Sequence, residues 1–205
     1  MSWIIFSGFA AVLLIASFYF DASVGHFVSD HQSSRLRNVG RLISHYGDWP
    51  QHALLGAILW IIAYVLRSRR WQRIVVMMLV ASVMGGLTAD IVRGVTGRPR
   101  PSTHVSDGWY GPHLDYKYNA FPSGHAAAST AFFGVLLFVE WPIGVVALLI
   151  PIAVGWARIY IGAHHFSDVV ASAIVGILSA YLAQRILRPR ARVPLQGQPR
   201  DWPLS

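Results

Sequence analysis

The sequence has no cysteine, which excludes disulfides, thiolate metal sites and a cysteine nucleophile. It is also poor in charge, with 13% Asp, Glu, Lys and Arg, where a soluble domain usually has about a quarter. Hydrophobic residues make up 54% of the chain and the mean hydropathy is +0.46. This composition indicates an integral membrane protein. The net charge of +8 is nearly all arginine at the ends of apolar runs, which argues against nucleic-acid binding.

Six apolar segments follow one another along the chain, and a membrane span needs roughly 17–25 residues. The second, fourth and fifth are short, so we expect flanking residues to join their helices. The first has no basic start and a poor cleavage site, so we expect a retained helix and not a signal peptide. The segments predict an all-α bundle of six transmembrane helices in a single domain over 1–187, followed by a disordered, basic cytoplasmic tail over 188–205. They cover 3–20, 52–66, 74–92, 126–139, 143–157 and 169–187.

The distribution of charge gives an orientation for this bundle. Nine of the 17 basic residues lie in the loop at 67–73 and at the C-terminal end, which six helices place on one side. By the positive-inside tendency that side is cytoplasmic, with both termini. The other eight basic residues lie on the opposite side, and three of them, Arg93, Arg100 and Arg158, belong to the polar motifs described below. All nine histidines also lie on that side. We therefore expect a protein of the bacterial inner membrane whose active site faces outward.

The first polar cluster follows the third apolar segment, where Arg93 is followed seven residues later by Arg100 and a proline. Glycine and proline residues between them prevent a regular helix, so the chain can fold back and bring both arginines over one anion. The planar guanidinium donates two parallel hydrogen bonds to phosphate oxygens. The alternative is that Arg93 and Arg98 are interfacial anchors. Asp90 is placed to pair with Arg93 on the helix face, in a structural role.

The second cluster is the tetrapeptide P-S-G-H at 122–125, which opens the fourth apolar segment. Proline fits the first turn of a helix, and the free N–H groups of that turn form an anion site with the helix dipole. Gly124 would let the backbone approach an oxyanion, and the Ser123 hydroxyl would add a donor. His125 lies where a leaving oxygen could take up a proton. The alternative is an ordinary helix N-cap with an interfacial histidine.

The third cluster lies between the fifth and sixth segments and has the spacing R-x5-H-x3-D, with Arg158, His164 and Asp168. If this stretch turns helically, His164 and Asp168 share one face. An aspartate that accepts a hydrogen bond from one ring nitrogen leaves the other as a lone-pair nucleophile. His165 is the rival, because its spacing to Asp168 is also compatible with a helix. The two adjacent histidines could also form an adventitious metal site.

Together these clusters resemble the motifs of the type 2 phosphatidic acid phosphatase (PAP2) superfamily, K-x6-R-P, P-S-G-H and S-R-x5-H-x3-D, in the same order. The motifs cover 93–168, and the six-helix pattern extends the resemblance to most of the chain. The chain departs from the family at Arg93, where lysine is usual, and at Ala157, where serine is usual. The resemblance implies a pocket at the outer ends of the third to sixth helices. The family spacing R-x5-H-x3-D also implies that His164, and not His165, is the reactive histidine.

The resemblance also implies a metal-independent phosphatase that works in two steps. His164 attacks phosphorus, Asp168 holds it, and His125 protonates the departing oxygen before water hydrolyses the phosphohistidine. Cationic side chains would replace the metal of many phosphatases, the sequence shows no acidic cluster suited to Mg²⁺, and we expect no cofactor. The residues that would bind the phosphate oxygens are Arg93, Arg100, Ser123, Gly124 and Arg158.

The substrate class is a lipid phosphate or diphosphate, and phosphatidic acid, phosphatidylglycerol phosphate, polyprenyl diphosphate and lipid A phosphates all remain open. A lipid phosphotransferase would share the first step and pass the phosphate to another lipid. A non-catalytic anion transporter or channel is a third interpretation, against which the histidine–aspartate pair argues. Vanadium haloperoxidase chemistry does not fit so hydrophobic a chain. Aromatic residues before the second motif suit a lipid at the interface or an ordinary interfacial belt, namely Trp109, Tyr110, Tyr116, Tyr118 and Phe121.

Overall fold

A computed structural model describes residues 3–103, 105–113 and 115–188. This part of the chain contains eight α-helices and two short 3-10 helices, at Pro101–Thr103 and Tyr116–Tyr118, and no strand. The predicted all-α class is therefore confirmed, whereas the expected tail lies, apart from Arg188, outside the described residues. The α-helices are α1 Trp3–Asp30, α2 Ser34–Tyr46, α3 Trp49–Val65, α4 Arg69–Thr96, α5 Gly124–Val139, α6 Trp141–Ala147, α7 Leu149–Tyr160 and α8 Phe166–Leu187.

Four helical stretches of the described chain are long and apolar enough to cross a membrane: Ile4–Asp30, Arg69–Thr96, Trp141–Tyr160 and Phe166–Leu187. The helices α3 and α5 are apolar but shorter. These six stretches follow the order of the six predicted segments, and the number of crossings stays a prediction. The first helix runs past the predicted end at residue 20 to Asp30, because the polar residues there continue the same helix.

Most helix ends are explained by local side-chain chemistry. Ser33, Asp48, Ser68 and Ser123 each precede a helix and accept a hydrogen bond from a backbone N–H of its first turn. Such caps satisfy donors that have no partner within the helix. The fourth helix ends at Gly97, whose φ of 61° is the left-handed conformation that glycine adopts without strain. The loop that carries the first motif therefore begins at a defined residue.

The helix α2 is the one element that the apolar segments do not predict, because its composition is mixed. It lies between α1 and α3 in the chain and packs against α7, with Gly40 close to the side chain of Ile161. The Tyr160 hydroxyl fixes the turn before α2, since it donates to the His31 carbonyl (2.8 Å) and accepts from the Ser33 N–H (3.0 Å). This turn brings α2 to the end of the bundle where the motifs lie.

The core of the bundle is formed by α4, α5 and α8. Small residues allow close approach, because a side chain at Gly85 or Gly176 would meet the Ala127 carbonyl oxygen at 2.9 Å. The α1 helix is different, with only 11% of its apolar window buried, so its apolar side chains remain for contact with lipid. The buried core residues are Ile74, Met77, Met78, Ala81, Ala131, Phe132, Phe133, Val135, Leu136, Ala180 and Ala183.

A buried arginine in the loop after α4 joins this core to α1. Arg98 is 2% exposed, and it donates to Asp168 on α8 (Nη1–Oδ1, 2.7 Å) and to Asp21 on α1 (Nη2–Oδ2, 2.8 Å). Ser167 accepts from Arg98 and donates to Asp21 through both its backbone N–H and its hydroxyl. Burial alone would lower the pKa of Arg98, but the carboxylates of Asp168, Asp21 and Asp107 raise it above the ordinary value. Arg98 is therefore a buried structural cation and not an interfacial anchor.

We expect Arg98→Gln to lower the free energy of unfolding in detergent by roughly 3–5 kcal/mol, because it leaves two buried carboxylates without their cation. Asp107→Asn is the matched control. Asp107 is 60% exposed and meets Arg98 at 3.4 Å, so its loss should cost less than about 1 kcal/mol. Thermal or denaturant unfolding of the purified variants measures both changes. Equal losses for the two variants would contradict a central structural role for Arg98.

Candidate active site

The three polar clusters of the sequence meet at one end of the bundle, where α4 ends and α5 and α8 begin. Backbone hydrogen bonds join them directly. The Ser102 N–H, just after the first motif, donates to the Gly162 carbonyl in the turn of the third (3.0 Å). The Ser123 N–H of the second motif donates to the Asp168 carbonyl of the third (3.3 Å). The predicted meeting of the motifs is thus seen in the geometry.

His164 lies in the turn between α7 and α8 and is 1% exposed. Its Nδ1 is 2.7 Å from the backbone carbonyl oxygen of Ala120. A carbonyl can only accept a hydrogen bond, so Nδ1 carries the proton and Nε2 carries the lone pair. Nε2 lies 3.3 Å from Nη2 of Arg158, which can donate to it. The structure therefore presents the Nε2 lone pair of a neutral imidazole to a guanidinium.

Arg158 is held in this position from the other side by α2. Its Nη1 donates to the Ser44 hydroxyl at 2.8 Å, and the side chain is 8% exposed. Its Nε is buried without an acceptor among the described residues, as is the Nε of Arg93. A buried donor without a partner costs about 1–3 kcal/mol. Both arginines thus keep donor capacity for an anion.

Arg93 reaches the first turn of α5 because Gly124 has no side chain. A Cβ at Gly124 would lie 3.1 Å from both terminal nitrogens of Arg93. The Arg93 guanidinium thus packs where a side chain of residue 124 would lie. Arg93 also forms the ion pair with Asp90 that the sequence predicts. The first and second motifs are therefore in contact through this arginine.

Arg100 is almost completely buried, at 4% exposed, and the segment 116–119 holds it. It donates to the Tyr116 carbonyl (Nε, 3.1 Å), the Tyr116 hydroxyl (Nη1, 2.7 Å) and the Asn119 carbonyl (Nη2, 3.4 Å). The Tyr116 ring also lies under the guanidinium, 3.7 Å from its centroid. Tyr116 is thus a close partner of a motif residue and more than an interfacial belt aromatic.

The three motif arginines act together on His164. Burial lowers the pKa of His164 well below its ordinary value, and the charges of Arg158, Arg100 and Arg93 lower it further. The hydrogen bond to the Ala120 carbonyl opposes this shift only partly. The ring therefore stays neutral at neutral pH, and Nε2 keeps its lone pair among three cations. Such an arrangement can hold an anion beside a nitrogen lone pair that is able to attack it.

His125 is the second histidine of the cluster and is partly exposed. Its Nε2 lies 3.7 Å from a carboxylate oxygen of Asp48, the N-cap residue of α3. Arg158, His164 and Arg93 are all near enough to act on it electrostatically. His125 thus lies near His164 and in reach of solvent, where it can exchange protons.

Asp168 does not make the expected hydrogen bond to His164. Its Oδ1 binds Arg98, and its Oδ2 accepts from the backbone N–H of His165 at 2.7 Å and caps α8. Oδ2 is 3.7 Å from Nδ1 of His164, which is longer than a hydrogen bond. The contact that fixes the tautomer of His164 is therefore made by Ala120, and Asp168 acts on the ring only at longer range.

The remaining predicted residues take clear positions. Ser123 is fully buried and caps α5, accepting from the Ala126 N–H at 3.5 Å. The Nε2 of His165 is 3.2 Å from the Pro99 carbonyl oxygen, whereas the Nε2 of His164 lies beside Arg158. The geometry thus favours His164 over its neighbour. Among the residues that the structure describes, no group of three or more His, Asp or Glu side chains is arranged to hold a metal ion.

Comparisons with known proteins agree with this geometry. The family model described as PAP2 superfamily matches residues 74–192. A Lipid A 1-phosphatase of Rhizobium etli is 26% identical over 202 residues, which cover 91% of this chain and 84% of that protein. A Lipid A 4'-phosphatase of Bacteroides thetaiotaomicron is 26% identical over 177 residues, or 76% of each chain.

A similar fold is known from a crystal structure of a transmembrane PAP2-type phosphatidylglycerolphosphate phosphatase from Bacillus subtilis. The TM-score is 0.66 with 20% sequence identity, and the match covers 87% of this chain and 92% of that one. At this identity the likeness is one of fold. The family match extends over more than half of the chain and includes all three motifs, and so the chain belongs to the PAP2 superfamily.

Proposed function

We propose that this chain is a membrane phosphatase that hydrolyses a lipid phosphate or diphosphate through a phosphohistidine at His164. The main support is the protonation state of His164. It is a neutral buried imidazole whose Nδ1–H donates to the Ala120 carbonyl and whose Nε2 faces Arg158. The names of the relatives, which are phosphatases of lipid A, support the same class of reaction.

In the first step Nε2 of His164 attacks phosphorus, and the bond from phosphorus to the lipid oxygen breaks. The Nδ1–H stays on the ring, so the phosphorylated imidazole is cationic. The Ala120 carbonyl and, at 3.7 Å, the Asp168 carboxylate stabilise that positive charge. His125 gives its proton to the departing lipid oxygen, which becomes a hydroxyl group.

In the second step a water molecule attacks the phosphohistidine, and the bond from phosphorus to Nε2 breaks. His125, now neutral, accepts the proton of that water, and inorganic phosphate leaves. The carboxylate of Asp48 lies 3.7 Å from His125, where it attracts the proton that the ring takes up in this step. The same histidine thus serves as acid and then as base.

The oxygens of the phosphoryl group are bound by arginines and not by a metal. Arg93 and Arg158 each have a buried Nε without an acceptor in the described chain, and a phosphate oxygen would satisfy these donors. Arg100 adds its charge, Ser123 its hydroxyl and Gly124 its backbone N–H at the start of α5. Preorganised donors of this kind are typically worth about 10²–10³ in rate each.

We place this site on the outer side of the membrane. The basic loop after α3 and the basic end of α8 lie at the opposite end of the bundle, where Arg70 forms an ion pair with Glu140. The positive-inside tendency makes that end cytoplasmic. The substrate would then be a lipid of the outer leaflet, with its phosphate at the interface and its tails against the apolar helices.

Phosphate release from a panel of lipids by the purified protein in detergent tests this function. The panel contains phosphatidic acid, phosphatidylglycerol phosphate, a polyprenyl diphosphate and lipid A. We expect hydrolysis of at least one of them, undiminished in EDTA and inhibited by vanadate, which mimics phosphorus in transfer. Activity that EDTA abolishes and a divalent metal restores would contradict the mechanism. Phosphate recovered in a second lipid would instead indicate a phosphotransferase.

The adjacent histidines provide a matched pair of variants. His164→Ala should abolish turnover and any trapped phosphoenzyme, because it removes the nucleophile. His165→Ala should leave both largely unchanged, because the ring of His165 faces Pro99 and its contribution to Asp168 comes from the backbone. The two variants are compared by rapid-quench labelling with radioactive substrate. The reverse pattern would move the nucleophile to His165.

A further inference from the structure

The helix α2 has three sides with different chemistry. The proposed mechanism involves it only through the hydrogen bond between Ser44 and Arg158. Its 13 residues include three arginines and no acidic residue. At about 100° per residue, the buried Gly40 and Ser44 fall on the side that packs against α7. The second side is exposed and mainly apolar, with Leu36, Val39, Leu42 and Tyr46, and Arg35 lies among them. A helix with one apolar and one basic side is suited to the membrane interface.

The third side carries Arg37 and Arg41, which we call the α2 ridge. They are four residues apart and therefore lie one above the other on the helix. No carboxylate of the described residues pairs with either, and the one side-chain bond of Arg37 is to Gln32. The ridge is thus a pair of cations without a carboxylate partner among the described residues.

The α2 ridge lies beside the active site. Ser44, three residues after Arg41, accepts a hydrogen bond from the active-site Arg158 at 2.8 Å. With a rise of 1.5 Å per residue, Arg41 is about 5 Å and Arg37 about 10 Å along the helix axis from Ser44. Arg37 also lines a cavity of ≈ 660 Å³ that reaches His164 and Ser102. Arg41 and the motif arginines do not line this cavity, so the position along the helix carries the argument: Arg41 and Arg158 both lie close to Ser44, within reach of one headgroup.

We propose that the α2 ridge binds a second anionic group of the substrate lipid, while the motif arginines bind the phosphate that is removed. The inference rests on the proposed function and deepens it, because it names the substrate class as a lipid whose headgroup carries two phosphates. Arginine suits this role, since its fork donates two hydrogen bonds to one phosphate. A lipid with a single phosphate would leave the ridge in water, and the binding free energy of the second phosphate would be lost.

The test uses lipid A with both phosphates and its derivative that keeps only the phosphate to be removed, each in uncharged detergent micelles. For the bisphosphorylated lipid, Arg41→Gln should raise KM roughly two- to fivefold, as expected for one partly exposed ion pair. Replacing Arg37 as well should raise KM roughly tenfold, with kcat unchanged. For the monophosphorylated derivative both variants should behave like the wild-type protein.

Arg35→Gln is the matched control, because Arg35 lies on the same helix about 120° around it from Arg41. This variant should not change the KM for either lipid. An equal rise of KM for both lipids would overturn the proposal, as would a rise that appears only when other anionic lipids are added to the micelles. In the second case the helix would attract the membrane surface in general. If the wild-type protein hydrolyses neither lipid nor any other of the panel, the proposed function itself is wrong and the ridge proposal falls with it.

Discussion

The structure depends on one buried cation, Arg98, and the three groups that surround it. A charge removed from water must be paired and hydrogen-bonded, or its burial costs several kcal/mol. Arg98 meets this requirement by binding Asp21 of α1 and Asp168 and Ser167 of α8. It thereby holds a weakly packed lipid-facing helix against the core and sets the start of α8. The turn with the proposed nucleophile lies directly before that start.

The active site adds a second constraint, which is the balance of charge around His164. Burial and three guanidinium groups around one imidazole both disfavour its protonation, so the cations that we propose bind phosphate also help to keep the proposed nucleophile neutral. The hydrogen bond to the Ala120 carbonyl then decides which nitrogen keeps the lone pair. In the proposed mechanism the same charges thus attract the substrate and favour a neutral nucleophile.

The apolar runs predicted the helical membrane fold, and the motif spacings predicted the cluster of Arg93, Arg158, His125 and His164, because periodicity and spacing are visible in a sequence. Other features were not visible. The contact with Ala120 uses a backbone carbonyl, which any residue provides. Arg98 looked like an ordinary basic residue at a helix end, because its partner Asp21 is 77 residues away. The α2 helix was hidden because its moderate apolar content gave no continuous run.

The central claim is that Nε2 of His164, and not Nδ1, becomes bonded to phosphorus. The most direct measurement is the identification of the phosphorylated atom in a phosphoenzyme trapped by rapid quenching at alkaline pH, where phosphohistidine survives. Peptide mass spectrometry locates the residue, and ³¹P NMR distinguishes the two ring isomers. The account predicts a single phosphate on Nε2 of His164. Phosphate on Nδ1, or on His125 or His165, would contradict it.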